Sequence, residues 1–222
     1  MVFPGTNCDR DTFKAFIRLP DVEVKYVWHT FTDLFDYDLI VLPGGFSYGD
    51  YLRCGALARF SPVMSAVERY ILSKRGYVLG ICNGFQILTE AGLLPGAFSR
   101  NTNNKFICEF CDIEVVNFNS PFTKMCKKKV LKLPIAHSDG NYCADSSTID
   151  KFESEKRVIF RYVENPNGSM NAIAGIMDEG FRVLGMMPHP ERNCDGILGN
   201  GDGRCIFESI YHELLCRMGE RG

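Results

Sequence analysis

One cysteine in this sequence stands where a nucleophile would be useful. Gly80-Ile81-Cys82-Asn83-Gly84 directly follows the apolar run Tyr77 to Ile81 and directly precedes a helical stretch, Phe85 to Ala91. Small-x-nucleophile-x-small at a strand-to-helix turn is the nucleophile elbow. The turn is sharp, so both flanking positions must be small, and the side chain between them is lifted above the sheet edge. A helix beginning there also favours a thiolate through its dipole. For five residues taken alone, a buried cysteine between two turn glycines is the bland alternative.

A nucleophile needs a base, and the base needs an orienting group. The sequence offers only 4 histidines: His29, His137, His189 and His212. His212 lies in the last helical stretch and reads as a surface or packing residue, and His29 ends a run with no acid at a telling spacing. His189 is different, because Met187-Pro188-His189-Pro190-Glu191-Arg192 follows the apolar run Val183 to Met187. Pro190 biases His189 toward an extended conformation, in which residues i and i+2 face the same way. Glu191 is then placed to accept one imidazole N–H while the other ring nitrogen faces the thiol. The alternative is a rigid proline turn with solvated side chains. The elbow and this turn together favour a catalytic Cys82–His189–Glu191 triad.

Acyl chemistry also needs donors for a tetrahedral oxyanion. Leu42-Pro43-Gly44-Gly45-Phe46 follows the apolar run Leu39 to Leu42. Its glycines, Gly44 and Gly45, let backbone N–H groups approach a ligand closely. Gly45 N–H and Asn83 N–H are the natural oxyanion donors. Elbow, His-Pro-Glu and Pro-Gly-Gly all fall at the C-terminal ends of strand-like runs, where open α/β sheets place their sites.

The elements needed to hold these groups are legible as alternating strands and helices. Val24 to Trp28, Leu39 to Leu42 and Tyr77 to Ile81 read as strands, the last two nearly continuous in aliphatic residues, as a parallel sheet covered on both faces requires. Asp11 to Leu19 and Pro62 to Ser73 read as helices, with Pro62 in the first turn and Gly76 just past the end. Phe106 to Ala136 and Arg157 to Val163 read as strands with charges interleaved. Ala172 to Met177 and Arg182 to Met187 bracket Asp178-Glu179-Gly180 as a hairpin. Cys205 to Met218 closes the chain as an amphipathic helix. This predicts an α/β fold: an open, mostly parallel sheet with flanking helices and additional antiparallel strands. The 222 residues contain no repeat or linker, so one domain over 1–222 is expected.

Composition narrows the function classes. Hydrophobic residues are 45% and charged residues 23%, so a disordered chain is excluded. Net charge is −2, and Lys127-Lys128-Lys129 is too short for a nucleic-acid footprint. No apolar run reaches the length of a membrane span. With Phe3-Pro4 so near the start, no targeting segment is expected. The 10 cysteines then read as reduced thiols of a cytoplasmic protein rather than a disulfide framework. Cys108-x-x-Cys111 lacks a second pair for zinc, and in a strand its two thiols face opposite sides, so no metal is expected. Cys8 and Cys54 lie near Gly-rich turns and are candidates for partial reactivity. Gly196 to Gly203 is glycine-rich but carries no P-loop lysine, and reads as a flexible loop rather than a phosphate site.

These residues resemble the class I (triad-type) glutamine amidotransferases. The carrying segments are Phe3-Pro4-Gly5-Thr6-Asn7-Cys8-Asp9-Arg10-Asp11, Leu42 to Ala56 (LPGGFSYGDYLRCGA), Gly80 to Gly92 (GICNGFQILTEAG) and Met186 to Arg192 (MMPHPER). The resemblance implies a flavodoxin-like amidotransferase fold, and implies that Cys82 attacks the side-chain amide of L-glutamine while His189, supported by Glu191, transfers protons. It implies that Gln86 helps hold the glutamine. It is strongest to the branch whose ammonia passes to a separate large synthetase subunit, which uses ATP and Mg on formylglycinamide ribonucleotide in purine biosynthesis, with a small third subunit for assembly. The chain itself would then bind no cofactor. Two departures stand out. Only Met1 and Val2 precede the Phe-Pro-Gly segment, which implies a shortened or missing first strand. His137-Ser138-Asp139-Gly140 replaces the usual His-Gly-Glu-Gly, so no role is carried to Asp139.

Two rivals remain at this level. A stand-alone elbow-cysteine amidase, such as a γ-glutamyl hydrolase, would turn over substrate without a partner. A binding subunit that kept the fold and lost the chemistry would not react at Cys82.

Overall fold

Runs that are apolar at every position need cover on both faces, and four such runs build the centre of the sheet. The computed structural model describes residues 8–196 and 199–219. Along the chain lie α1 (Asp9–Ile17), β1 (Leu39–Leu42), α2 (Pro62–Leu72), β2 (Tyr77–Ile81), α3 (Asn83–Glu90), β3 (Ala97–Ser99) and β4 (Ile107–Val115). Then follow β5 (Val130–His137), β6 (Asn141–Cys143), α4 (Ser146–Ser154), β7 (Val158–Tyr162), β8 (Ile173–Met177), β9 (Val183–Met186) and α5 (Arg204–Gly219). All residues of β2, β8 and β9 are buried. β4 and β5 alternate between buried and exposed positions, as strands with one wet face do.

The main sheet has the order β1-β2-β9-β8-β7-β4-β5, and β3 pairs with β6 in a small second sheet. β1–β2 and β2–β9 are parallel. The hairpin β8–β9 forms as expected, and β7–β8, β4–β7 and β4–β5 are also antiparallel. The α/β architecture with parallel and added antiparallel strands is therefore what forms, and among the described residues the antiparallel extension is the larger part.

That extension curls. Five flat strand spacings would put β5 roughly 24 Å from β2. Yet Ala136 O of β5 lies 3.7 Å from the sulfur of Cys82, at the end of β2. Pro134 O, also of β5, accepts a hydrogen bond from His189 N, beyond β9, at 2.8 Å. Pro134 itself is tolerated because β5 is an edge strand. The far edge of the sheet thus returns to the centre and meets the ends of β2 and β9.

Several expectations shift. Val24 to Trp28 forms no strand: among the described residues the main sheet ends at β1, and this run does not pair with it. The first helix is Asp9–Ile17 rather than Asp11 to Leu19. Helix α2 begins with Pro62 at its N-terminus, but its left-handed turn falls on Lys74 (φ 53°) rather than on Gly76. A Cβ on Gly76 would collide with Tyr70 Oη and Asp38 O, so that glycine serves close approach instead.

The expectation of uniformly reduced thiols is also corrected. Cys126 and Cys205, 79 residues apart, are paired as a disulfide with Cα atoms 5.0 Å apart. They meet because the segment before β5 packs on the start of α5. Met125 N–H bonds Ser209 Oγ at 2.9 Å, and Lys128 Nζ bonds Asp202 Oδ1 at 2.6 Å. The described part of the Gly196 to Gly203 segment is tied down rather than loose: Asp202 Oδ2 takes Lys132 N–H at 2.9 Å, and Gly203 N–H bonds Asn193 O at 2.8 Å. Ile197 and Leu198, and the Met1 to Asn7 part of the first motif with its expected short strand, lie outside the described residues.

Candidate active site

β2 ends at Ile81 and α3 starts at Asn83, so Cys82 alone makes the turn. It does so at φ 50°, ψ −106°, a conformation costly for a side chain with a Cβ. Such strain persists only where the surroundings impose it. A Cβ on Gly84 would strike Leu42 O and one on Gly80 would sit 2.5 Å from Leu88 Cδ1, so α3 lies tight on β1 and β2. The strand-to-helix elbow read from the sequence is therefore present. The Cys82 carbonyl accepts from Phe85 and Gln86 N–H, at 2.9 and 3.1 Å, which leaves the Asn83 and Gly84 N–H groups at the orphan end of the helix.

His189 and Glu191 reach the elbow from the end of β9. His189 Nδ1 donates to Glu191 Oε1 at 2.6 Å, and both side chains are shielded from solvent. The pairing arises differently from the extended i, i+2 geometry expected. Glu191 sits in a single 3-10 turn, Pro190–Asn193, and His189 caps it at φ −101°, ψ 88°. A Cβ on Gly203 would strike Pro190 O, so the start of α5 presses directly on this turn. Burial works against charge on the His189 ring, but the negative charges and hydrogen bonds of Glu191 and Cys82 prevail and raise its pKa to about 10. The Nδ1 bond to Glu191 leaves Nε2 for the thiol beside it.

Gly44 closes the other side. A Cβ there would lie 2.5 Å from His189 Cε1 and 3.4 Å from Cys82 Cβ, so only glycine fits between them. Gly45 follows at φ 134°, in a region that side chains rarely adopt. The glycine pair is thus brought to the thiol as the sequence suggested.

Asn83 and Gln86 anchor the walls. Asn83 Oδ1 accepts from Ser47 N at 3.1 Å and from Ser47 Oγ. Its Nδ2 donates to Asp50 Oδ1 at 3.2 Å and to Gln86 Oε1 at 3.0 Å. Gln86 Nε2 donates to Asp139 O at 2.7 Å. Both ends of the Gln86 amide are therefore engaged with protein. It ties the segment after β5 to the elbow helix.

Sequence reasoning did not single out Ser47, Asp50 or the carbonyl of Ala136. Ser47 and Asp50 lie within the Leu42 to Ala56 segment, but only the fold shows that they hold Asn83. Tyr48, Asp50 and Leu52 in that segment all have positive φ (54°, 52° and 74°), so the loop is held in place against local preference.

The remaining thiols near the site are muted. Cys8 is raised to about 11 by burial, which outweighs the Arg192 guanidinium donating to its sulfur at 2.6 Å. Cys54 is raised further, by burial and then by Asp50 and Asp139, each of which sets a carboxylate oxygen 3.2 Å from its sulfur. Neither has the reactive character the sequence left open. Cys8, His189 and Glu191 place one potential ligand atom each within 4.8 Å of one another. Those atoms already face Arg192 and each other, and a guanidinium at the sulfur disfavours a second cation.

The chain belongs to the family of CobB/CobQ-like glutamine amidotransferase domains, whose pattern it matches over residues 1–201. It is 52% identical over 215 residues to the phosphoribosylformylglycinamidine synthase subunit PurQ of Alkaliphilus metalliredigens (strain QYMF), covering 96% of this chain and 95% of that one. Among solved structures it is similar to a chain of PurLQS from Thermotoga maritima, with a TM-score of 0.87, 42% identity, and coverage of 96% and 97%. The glutaminase domain of Trypanosoma brucei CTPS, with bound acivicin, shares the fold at a TM-score of 0.61 and 13% identity over 96% and 93% of the two chains.

Proposed function

We infer that this chain is the glutaminase subunit of a phosphoribosylformylglycinamidine synthase, a glutamine amidotransferase of purine biosynthesis. The observation that carries the reading is the strained Cys82 elbow facing the buried His189–Glu191 pair, in a chain 52% identical to a PurQ subunit. Cys82 attacks the γ-carbonyl carbon of L-glutamine as a thiolate, with His189 as imidazolium. The oxyanion is held by the N–H groups of Gly45 and Asn83. As the C–N bond breaks, its electrons go to nitrogen and His189 supplies the proton, so that ammonia leaves and a γ-glutamyl thioester remains. Water, deprotonated by the now neutral His189, then releases glutamate and restores the thiol pair. Gly44 keeps the space between thiol and imidazole clear, and Gln86 shapes the glutamine pocket by fixing its far wall.

Ammonia passes to a large synthetase subunit, where ATP and Mg drive conversion of formylglycinamide ribonucleotide to formylglycinamidine ribonucleotide, and a small subunit assists assembly. The Thermotoga maritima match, a chain of an assembly named PurLQS, supports this partnership. The complex works in the cytoplasm, in keeping with described helices none of which is long and apolar enough to cross a membrane. Labelling with a glutamine-analogue electrophile tests the reading. A stoichiometric adduct at Cys82, and glutamine-dependent synthesis with the synthetase subunit, are expected. A folded chain that gives no adduct overturns it.

A further inference from the structure

Gly45 and Asn83 offer their N–H groups from different elements, the loop after β1 and the start of α3. An oxyanion is held well only where both donors lie about 2.7–3.1 Å from one oxygen, so drift of either stretch weakens the pair. Gly44, whose Cβ would lie 3.4 Å from Cys82 Cβ, sets the loop against the elbow. The stretch that follows does not hold itself there. Tyr48, Asp50 and Leu52 have positive φ, and Phe46, next to Gly45, is 44% exposed. Ser47, two positions past Gly45, turns inward and is 3% exposed.

What Ser47 meets is the side chain of Asn83, which is wholly buried. Ser47 N–H and Oγ–H both donate to Asn83 Oδ1, the N–H at 3.1 Å. A main-chain N–H can only donate, so the orientation of that amide is fixed. Asn83 Nδ2 then donates to Asp50 Oδ1 at 3.2 Å and to Gln86 Oε1 at 3.0 Å. A carboxamide has two acceptor and two donor positions, and here all of them are filled. Ser47 takes two and Asp50 a third, so most of the grip is on the loop. Asn83 thus presents an oxyanion N–H from its main chain, while its side chain holds the loop that carries the other donor. An apolar side chain could fill the same buried place and would hold nothing.

We propose that Ser47 is a positioning residue. Its bonds to the Asn83 carboxamide set the spacing between the Gly45 and Asn83 N–H groups, and so the stabilisation of the tetrahedral intermediate, without acting on the thiol. This rests on the glutaminase reading and adds to it a residue that works through its neighbours. The later part of the loop has its own anchors on α3. Arg53 Nη2 donates to Glu90 Oε2 at 2.7 Å, and Arg59 Nη1 to Glu90 O at 3.0 Å. Glu90 lies at the far end of α3 from Asn83, about 10 Å along the axis. These bonds keep the loop on the helix when the Ser47 hydroxyl is removed, but at a distance from the donor pair.

The test separates the oxyanion from the thiol. Iodoacetamide alkylates a thiolate by displacing iodide from a saturated carbon, so the S–C bond forms with no oxyanion. Glutamine turnover needs one. In the complex with the synthetase subunit, Ser47→Ala should lower kcat for glutamine about 10-fold with KM nearly unchanged, less than the roughly 100-fold that loss of a whole oxyanion donor costs. The iodoacetamide rate at Cys82, followed by mass spectrometry of its peptide, should stay at the wild-type level. Adding Ser47→Ala to Asn83→Ala should cost no more than about 2-fold further, because the two side chains act as one strap. An unchanged kcat, a labelling rate that falls with it, or losses that add in the double variant overturn the proposal. Should Ser47→Ala fail to fold, Asn83→Ala carries the comparison: kcat should fall while labelling holds, and an equal fall in both overturns the proposal. A wild-type complex that neither turns over glutamine nor labels at Cys82 overturns the glutaminase reading and the proposal together. An active wild type matched by Ser47→Ala overturns the proposal alone.

Discussion

His189 hands its Nδ1 hydrogen to Glu191 Oε1 across 2.6 Å, in a pocket where neither side chain meets solvent. The carboxylate sets both the orientation and the charge of the ring. With a folded pKa near 10 against an ordinary value of 6.5, the protonated ring stabilises the folded chain fully below about pH 6.5, and the effect is lost as pH rises through 10. Glu191→Gln removes the charge and keeps an acceptor. The alkaline limb of the Cys82 labelling rate should therefore move to lower pH, with a smaller loss at neutral pH than His189→Ala causes. A limb that stays in place removes Glu191 from the triad.

Cys82→Ala and Cys82→Ser should abolish glutamine-dependent synthesis by the complex and spare ammonia-dependent synthesis. The two assays run side by side check this. Loss of both would mean that Cys82 holds the subunit together instead of attacking glutamine.

Gly44→Ala should be nearly as damaging as loss of the thiol, although alanine brings no reactive group. Its Cβ would lie 2.5 Å from His189 Cε1, and the ring has little room to retreat. Glutaminase turnover should drop by about 100-fold or more, since misplaced catalytic groups cost rates of that order. Circular dichroism should show a folded chain.

The folded chain should lose stability in mild acid through His137. With its pKa near 4, the native ring stays neutral while the unfolded ring takes up a proton from about pH 6.5 downward. The unfolded state then binds more protons, so stability falls between pH 6.5 and 4 and levels off below. The full effect is about 3 kcal/mol. Denaturant titrations of wild type and His137→Asn across this range should differ in slope.

Reduction of the Cys126–Cys205 bridge should lower stability by about 4 kcal/mol on chain-entropy grounds, given the 79 residues it spans. Thermal unfolding with and without reductant, and of Cys126→Ser, checks this. An unchanged midpoint would mean that the packing of Met125 and Lys128 on α5 suffices.

The candidate site was legible because its parts are local. Gly80 to Gly84 and Pro188 to Glu191 each encode geometry within five residues, and steric needs at an elbow or a proline turn leave few residue types to choose from. Leu39 to Leu42 and Tyr77 to Ile81 were legible for a similar reason, since only a strand buried on both faces is apolar throughout. What depended on distant partners was not legible. Val24 to Trp28 has strand-like residues, but a strand also needs a neighbour. The Cys126–Cys205 pairing and the Ser47–Asn83–Asp50 bonds join segments 79 and 36 or fewer residues apart, and no local spacing announces them. Glu191 reached its predicted partner by a 3-10 turn rather than an extended segment. The pairing of the two side chains does not depend on which of these backbone routes brings them together.

The curl of the antiparallel extension makes the site a gauge of bending. Strand β5 sits at the far edge in sheet order, yet its carbonyls at Pro134 and Ala136 touch His189 and Cys82. A small change of angle at an intermediate strand is multiplied by the span to β5. The β7–β8 ladder, where the register shifts between Val158, Phe160 and Arg161, is the natural pivot. A substitution there that straightened the ladder would draw β5 away from the thiol without altering any residue that touches it. Inactivating variants of this chain should thus cluster in two places, around Cys82 and at a bend two to three strands away in the sheet.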